Sequence, residues 1–379
     1  MKIAFIYDAA YPWVTGGAEM RIYEVARRLV IMGHEVHWYT QGWWWDGKSQ
    51  DNLVRDGIVF HGVSQPIPLY SGSRRSIKEA IYFALNLIRP LFSEKYDVVD
   101  CQGFPFFPCF TAWFHSLIGR SQLVITLHEV WGEYWYQYLG RLGVLGRVVE
   151  KLMIHLTSNL IVVSLKTLQD LQKERRIQAR IIPNGLDFQK IRGLEPSPQG
   201  ADVLYAGRLI PEKGVDLIIR TLPLLKKDHP DLKCFIIGDG PERSDLELLA
   251  SELKLDETVN FTGFLNDQEE LLKIMKSSQV FVLPSRREGF GMVVLEANAC
   301  GLPVVVVNHP MNAAVELVKN NQNGFIVDAT EKALAEGITA GLKEKKNMQE
   351  ACIEFARGYD WEEIVLDLED FYQELASST

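Results

Sequence analysis

Cysteine is scarce. The five residues, Cys101, Cys109, Cys234, Cys300 and Cys352, form no C-x-x-C pair and leave one over. That excludes a zinc module and a disulfide framework, and it fits a reducing cytoplasm. Long apolar runs are also missing. The best candidate, IYFALNLIRPLF, is interrupted by Arg89 and Pro90, and no segment approaches the roughly 20 apolar residues that span a bilayer. The opening MKIAFIYDAAYPW lacks the longer apolar stretch of a signal peptide and reads as a short buried strand entering a turn. The expected location is cytoplasmic, with any membrane contact peripheral at the inner face. Basic charge is short too. The formal net charge is −9, which argues against nucleic acid as a partner, because phosphate neutralisation needs a basic face. An anionic ligand must therefore be held by local cations.

What is present is a globular composition: 47% hydrophobic and 23% charged residues, the usual range for a soluble fold. A chain of 379 residues exceeds what one core supports, so two domains are expected. KIAFIY reads as an apolar strand, GGAEMRIYEVARRLVIMG as a helix and HEVHWYT as a second strand, which makes a βαβ unit. The same alternation restarts at ADVLYAGR, GVDLIIRTLPLLKKDHP and LKCFIIGDG. Between the two starts lies IRGLEPSPQG (191–200), whose glycines and prolines predict a linker. The expected division is 1–195, 196–355 and a final helix over 356–379. Trp361, Ile364, Val365, Leu368 and Phe371 form the apolar stripe of that helix, which packs either on its own domain or back on the first. The fold class is α/β, two Rossmann-like domains with parallel sheets covered by helices and facing across a cleft.

The segment SRREGFGMVVLEANACGLPVV (285–305) carries two glutamates among apolar residues. VFVLP before it reads as a strand, SRREGFG as a loop and MVVLEANACG as a helix closed by glycine. Glu288 thus falls in the loop and Glu296 on the helix. Gly289 and Gly291 let backbone amides approach a ligand, and the helix start at Met292 and Val293 exposes N–H groups, a phosphate-binding arrangement. Two carboxylates flanking a phosphate can accept hydrogen bonds from two sets of sugar hydroxyls. The plainer alternative is that Glu288 caps the helix and Glu296 is solvated. AGRLIPEKG adds Arg208 and Lys213 in the loop after another strand, on the rim where open parallel sheets bind ligands. In TGGAE, Gly16 and Gly17 lead into a helix beginning near Ala18 and could receive a phosphate or a sugar, although this is not the GxGxxG fingerprint of dinucleotide sites.

Taken together, GGAE, TLHE, IPNGLD, AGRLIPEKG, GDGP, FTGFL and EGFGMVVLEANACGLPVV, in this order and over nearly the whole chain, resemble the retaining, nucleotide-sugar-dependent glycosyltransferases of the GT-B fold, glycosyl transferase group 1. The resemblance implies that Glu288 meets the transferred sugar, Glu296 the ribose hydroxyls, and Arg208 with Lys213 the diphosphate. It implies that His128 orients the donor, that Gly16 and Gly17 close on the leaving group, and that Asn184 lies near the interdomain hinge. Gly238, Phe264, Leu265 and Phe290 join the donor set, Phe264 and Leu265 holding the base mostly through backbone groups. Glu129 stands where many relatives carry aspartate. The expected reaction keeps the anomeric configuration and moves a hexose from a nucleotide diphosphate sugar, as co-substrate, to a hydroxyl acceptor: a glycan, a lipid-linked species or a small molecule. Another enzyme of this fold, an epimerase or a phosphorylase, and a non-catalytic sugar-nucleotide-binding protein are the alternatives.

No cofactor is expected, and no metal. The chain has no Asp-x-Asp, and His34 and His37, three apart on a strand, fall on opposite faces. Acceptor candidates are aromatic. Trp43, Trp44 and Trp45 follow the second strand, where they either stack on a sugar, enter a membrane interface or pack locally. Trp131, Tyr134, Trp135 and Tyr138 have the spacing of one helical face and suit core packing, with part of the group near the cleft. Arg74 and Arg75 are a weak anchor for anionic lipid.

Overall fold

The computed structural model describes residues 1–45, 52–71, 74–265 and 267–377. The chain forms two compact units, one of Met1–Asn184 with the chain from Trp361 onward, the other of Gly185–Asp360.

In the first unit eight strands make one sheet: β1 (Lys2–Ile6), β2 (Glu35–Thr40), β3 (Leu53–Arg55), β4 (Ile58–Gly62), β5 (Val98–Gln102), β6 (Gln122–Leu127), β7 (Leu160–Val162) and β8 (Arg180–Ile181). Their order is β8-β7-β6-β5-β1-β2-β4-β3, and every pairing is parallel except the edge pair β3 and β4. The central strands are largely buried because helices cover the sheet, and β5 is buried along its whole length although it carries Asp100 and Gln102. The helices are α1 (Gly17–Ile31), α2 (Ile77–Phe92), α3 (Phe107–Leu117), α4 (Tyr134–Leu139), α5 (Gly143–Met153) and α6 (Leu165–Glu174). Two begin at serine caps, Ser76 accepting from the Glu79 amide and Ser164 from the Thr167 amide. α2 runs on through Pro90 and ends two residues later at Phe92.

In the second unit six parallel strands, β9 (Val203–Ala206), β10 (Cys234–Ile237), β11 (Val259–Gly263), β12 (Val280–Leu283), β13 (Val304–Val307) and β14 (Gly324–Val327), run in the order β11-β10-β9-β12-β13-β14. Around them lie α7 (Phe188–Gly193), α8 (Val215–Leu225), α9 (Arg243–Glu252), α10 (Gln268–Ser277), α11 (Met292–Ala299) and α12 (Glu331–Arg357). Strand order reverses between β9 and β12, so the loops after these neighbouring strands flank a switch point, the usual ligand crevice of an open sheet.

The units divide at Asn184/Gly185 rather than near residue 195, and at Asp360/Trp361 rather than near 355. The reason for the first shift is local. Asp187 caps α7 by accepting from the Lys190 amide, and Phe188 and Ile191 are buried, so residues 188–193 are helix and belong to the second unit; only the rest of IRGLEPSPQG is irregular.

The last helix, α13 (Trp361–Ala376), packs against α1 and β5 of the first unit. Tyr372, not Phe371, completes its buried stripe after Trp361, Ile364, Val365 and Leu368. Arg28 of α1 binds Glu362 at 2.9 Å, and His34 binds Glu369 at 2.8 Å.

Candidate active site

In the second unit the loops after β9 and β12 meet. Lys213 ends a short 3-10 turn, Pro211–Lys213, and its Nζ lies 2.5 Å from Glu288 Oε1. Ser285 Oγ donates to the same oxygen at 2.7 Å. Glu288 sits in a two-residue strand, Arg287–Glu288, paired parallel with Met311–Asn312. Asn312 is buried; its Nδ2 donates to Ser285 O and Val307 O, tying the loop to the end of β13. Glu288 is therefore an anchored acid beside a cation and does not cap the helix.

That role falls to Gly291. Its φ of +96° is left-handed, and a Cβ there would lie 2.6 Å from Ala314 Cβ, so only glycine fits. No side chain caps α11, leaving its first amides, from Met292 and Val293 onward, with the partial positive charge of a helix start. Phe290 is buried, its ring 6.2 Å from Tyr359. Gly289 precedes it, half-buried.

Glu296 is 8% exposed, so it is not a solvated surface acid. Gln268 of α10 donates to its Oε1 at 2.7 Å, and burial holds its pKa above the ordinary carboxyl value. Arg208 is exposed in the loop after β9, and its carbonyl accepts from Tyr205 OH at 3.0 Å. Gly238, after β10, would bring a Cβ to 1.9 Å from Gly207 O, so these neighbouring loops approach as closely as backbones can. Phe264 and Leu265 follow β11 on the same edge, with Phe264 60% exposed. The loops after four adjacent strands thus line one rim with two cations, the Glu288 carboxylate, an open helix start and an exposed aromatic ring, and Glu296 lies buried on the helix that starts there.

The first unit has its own rim. Gly16 caps α1 in extended conformation with no side-chain bond, and the helix begins at Gly17. His128, half-buried at the end of β6, has its Nε2 2.8 Å from Gln102 Oε1. Gln102 Nε2 donates to Asp100 Oδ1 at 3.2 Å, which orients the amide and assigns the histidine proton to Nε2. Burial first, then the Arg21 charge, lower the His128 pKa to about 3, so its ring is neutral at physiological pH with Nδ1 as the acceptor. Asp100 is buried and also accepts from Thr126 Oγ1 and, at 2.6 Å, from Tyr372 OH of α13. Burial keeps the Asp100 pKa raised. Arg21 is buried and donates to Ile182 O, Pro183 O and Asn184 Oδ1, pinning the last residue of the unit; burial lowers its pKa to about 10. Glu129 accepts from the Trp131 indole at 2.9 Å.

The aromatic groups are explained by packing. Trp43 Nε1 donates to Asp8 O, Trp44 lies 5.1 Å from Trp13, and the Trp45 ring fills the space beside Gly42 and Gly62. Trp131 lies ahead of α4, not on it; it stacks on Phe104 at 5.2 Å and packs at a tilt against Trp135 at 4.5 Å. Glu150 ties that loop down, accepting from the amides of Trp131 and Gly132 and the Trp135 indole. Arg75 does not extend freely from the surface: its side chain is only 9% exposed, and its Nη2 reaches both oxygens of Asp8 at 2.6 and 2.7 Å. Beside them Glu79 is fully buried and accepts from Gln41; burial and Asp8 push its pKa up to about 9. His34 precedes β2, and His37 stacks on His61, so the two histidines do not pair.

Residue patterns alone missed Ser285, Asn312, Gln268, Gln102, Asp100 and Arg21. Ser285 and Gln102 had a usable signal, since each lies at the end of a strand on the ligand-binding edge.

Comparison with known proteins decides the family. A sequence model described as glycosyl transferases group 1 matches residues 187–359, and one described as glycosyltransferase family 4 matches residues 15–190. An uncharacterised glycosyltransferase of Haemophilus influenzae is 32% identical over 83% of this chain and 82% of its own. The chain is a group 1 glycosyltransferase. The gpi3 subunit of phosphatidylinositol N-acetylglucosaminyltransferase from Schizosaccharomyces pombe is 23% identical over 96% of this chain and 78% of its own. Among solved structures, an Anabaena protein in complex with UDP-glucose superposes with a TM-score of 0.74 at 20% identity, covering both chains fully, which places this glycosyltransferase in the same GT-B fold.

Proposed function

We propose that this glycosyltransferase moves a hexose from a nucleotide diphosphate sugar to a hydroxyl acceptor with retention of configuration, and that it needs no metal ion. The observation that carries the reading is the Lys213–Glu288 pair, anchored by Ser285 beside the uncapped start of α11. In this reading Lys213, Arg208 and the α11 amides take the diphosphate. Their charge is placed where negative charge grows as the glycosidic bond to phosphate breaks, the task a metal performs in other transferases. Glu288 holds hydroxyls of the moving sugar and Glu296 those of the ribose. The base lies by Phe264 and Leu265. Gly16, Gly17 and the neutral, tautomer-fixed His128 serve from the first unit, His128 accepting at Nδ1 from a donor hydroxyl. The departing phosphate oxygen takes the acceptor proton on the face it leaves, so no carboxylate nucleophile is required; that differs from retaining hydrolases with two opposed carboxyls about 5 Å apart.

The acceptor is a glycan, a lipid-linked species or a small molecule, and the enzyme works in the cytoplasm with peripheral contact at the membrane. The similarity to a subunit named for phosphatidylinositol supports a lipid among these.

A thermal-shift screen of UDP-, GDP- and ADP-sugars identifies the donor, because ligand binding stabilises the folded state. Nucleoside diphosphate release that depends on an acceptor then establishes transfer, and release or isomerisation of the sugar without one would point to the epimerase or phosphorylase reading. Lys213→Ala and Glu288→Ala are each expected to abolish most turnover while the protein stays folded. Wild-type turnover in either variant refutes these roles.

A further inference from the structure

We propose that the outer faces of α2, α3 and α5 form a docking surface for an anionic phospholipid bilayer. These helices cover one face of the first unit's sheet: Phe83, Leu87 and Leu91 of α2, Ala112 of α3 and Met153 of α5 join a single buried cluster with the strands. The opposite side of a sheet-covering helix is ordinarily polar. Here it is apolar as well. On α2, Ile77, Ile81, Leu85 and Ile88 recur at helical spacing, Leu85 being 63% exposed. Phe114 and Leu117 of α3 are 55% and 59% exposed, and on α5 Leu145, Val148 and Leu152 are exposed by half or more. Ten of the 22 large apolar side chains exposed among the described residues lie on these three helices and Ile118 and Leu142 adjoin them, whereas the second unit exposes only Leu248, Leu253 and Phe264 among its described residues.

Charge identifies the occupant. In a chain of net charge −9 the unpaired charged residues on this layer are basic: Lys78 and Arg89 on α2, Arg141 ahead of α5 and Lys151 on it, all exposed and without an ion pair among the described residues. The acids of the three helices, Glu79 and Glu150, are buried. Glu133, exposed before α4, is paired with Arg147. Arg74 lies over the Tyr138 ring, 5.5 Å from its centre, joining the start of α2 to α4. Apolar side chains interspersed with basic ones suit an interface of acyl chains and anionic headgroups. A second copy of the chain would set this basic face against its own equivalent, which like charge opposes. Among the described residues no helix is long and apolar enough to cross a membrane, so contact lies in the plane of the bilayer.

The surface deepens the peripheral contact in the functional proposal and rests on that part of it alone, because vesicle binding requires no transfer. The test is flotation of the full chain with phosphatidylglycerol-containing vesicles and with pure phosphatidylcholine vesicles. Binding is expected to the anionic vesicles, weakened by salt. Two triple variants, Lys78→Glu with Arg141→Glu and Lys151→Glu, and Leu85→Glu with Leu145→Glu and Leu152→Glu, are expected to bind at least tenfold more weakly while keeping the wild-type melting temperature and donor-induced thermal shift. Equal binding by the variants, absence of binding to anionic vesicles, or self-association through this face in place of vesicle binding would overturn the assignment.

Discussion

His128 offers the sharpest quantitative test, because its environment fixes both its charge and the direction of a pH effect. Its pKa in the folded protein is about 3, against 6.5 for the ordinary side chain. Between those values the unfolded chain holds a proton that the folded chain refuses, so stability falls as pH falls through this window and is unaffected above it. Going from pH 7 to pH 5, linkage gives a loss of about 2 kcal/mol from this one group. Other histidines and the carboxylates add their own terms. The informative quantity is therefore the difference between the wild type and His128→Gln, in which this term is gone. All nine tryptophans lie in the first unit, so tryptophan fluorescence in a denaturant titration reports the unit that holds His128 and is blind to the other. The wild type is expected to lose about 2 kcal/mol more than His128→Gln between the two pH values. An equal loss in both proteins would mean that His128 titrates normally in the folded state, and the neutral ring with a fixed Nε2 proton would have to be abandoned.

Tyr372→Phe removes one donor from buried Asp100 and is expected to destabilise the first unit by about 1–3 kcal/mol; an unchanged midpoint in the same fluorescence titration would show that α13 is held by its apolar stripe alone. Gly291→Ala meets both a left-handed backbone and a contact at 2.6 Å and should cost the second unit about 1–3 kcal/mol. Gly289→Ala, at a position without positive φ, should melt like the wild type by calorimetry, and equal melting of the two variants would contradict the backbone argument.

The alternation of apolar strands with periodic helices was legible because strands such as Val203–Ala206, Val280–Leu283 and Val304–Val307 are buried along their whole length and so read as short apolar runs. The Glu288 loop was legible for a similar reason: its glycines and following helix form one contiguous segment, so local grammar exposes the uncapped helix start. The division at Asn184 was not. It depends on Phe188 and Ile191 finding a hydrophobic neighbour in the second unit, a tertiary fact that the glycines and prolines of IRGLEPSPQG obscure. The outward apolar face of α2 was likewise hidden, because Pro90 made the segment look interrupted, and which side of an apolar helix is covered cannot be read from spacing alone.

The supporting polar network was illegible for a deeper reason. Asp100 and Tyr372 are separated by 272 positions and Lys213 and Glu288 by 75, and a buried polar group carries no periodicity that names its partner. Burial itself constrains the answer. Asp100, within a strand buried along its length, must have hydrogen-bond partners or lose several kcal/mol of solvation, and the partners available at its level of the sheet are Thr126 and Gln102, with Tyr372 arriving from the chain's last helix. Gln102 can satisfy Asp100 through its amide nitrogen only by turning its oxygen toward His128. The tautomer of the rim histidine is thus set by the need to satisfy an acid one layer below, which makes Gln102 and Tyr372 positioning residues for a ring they help to orient from inside the core.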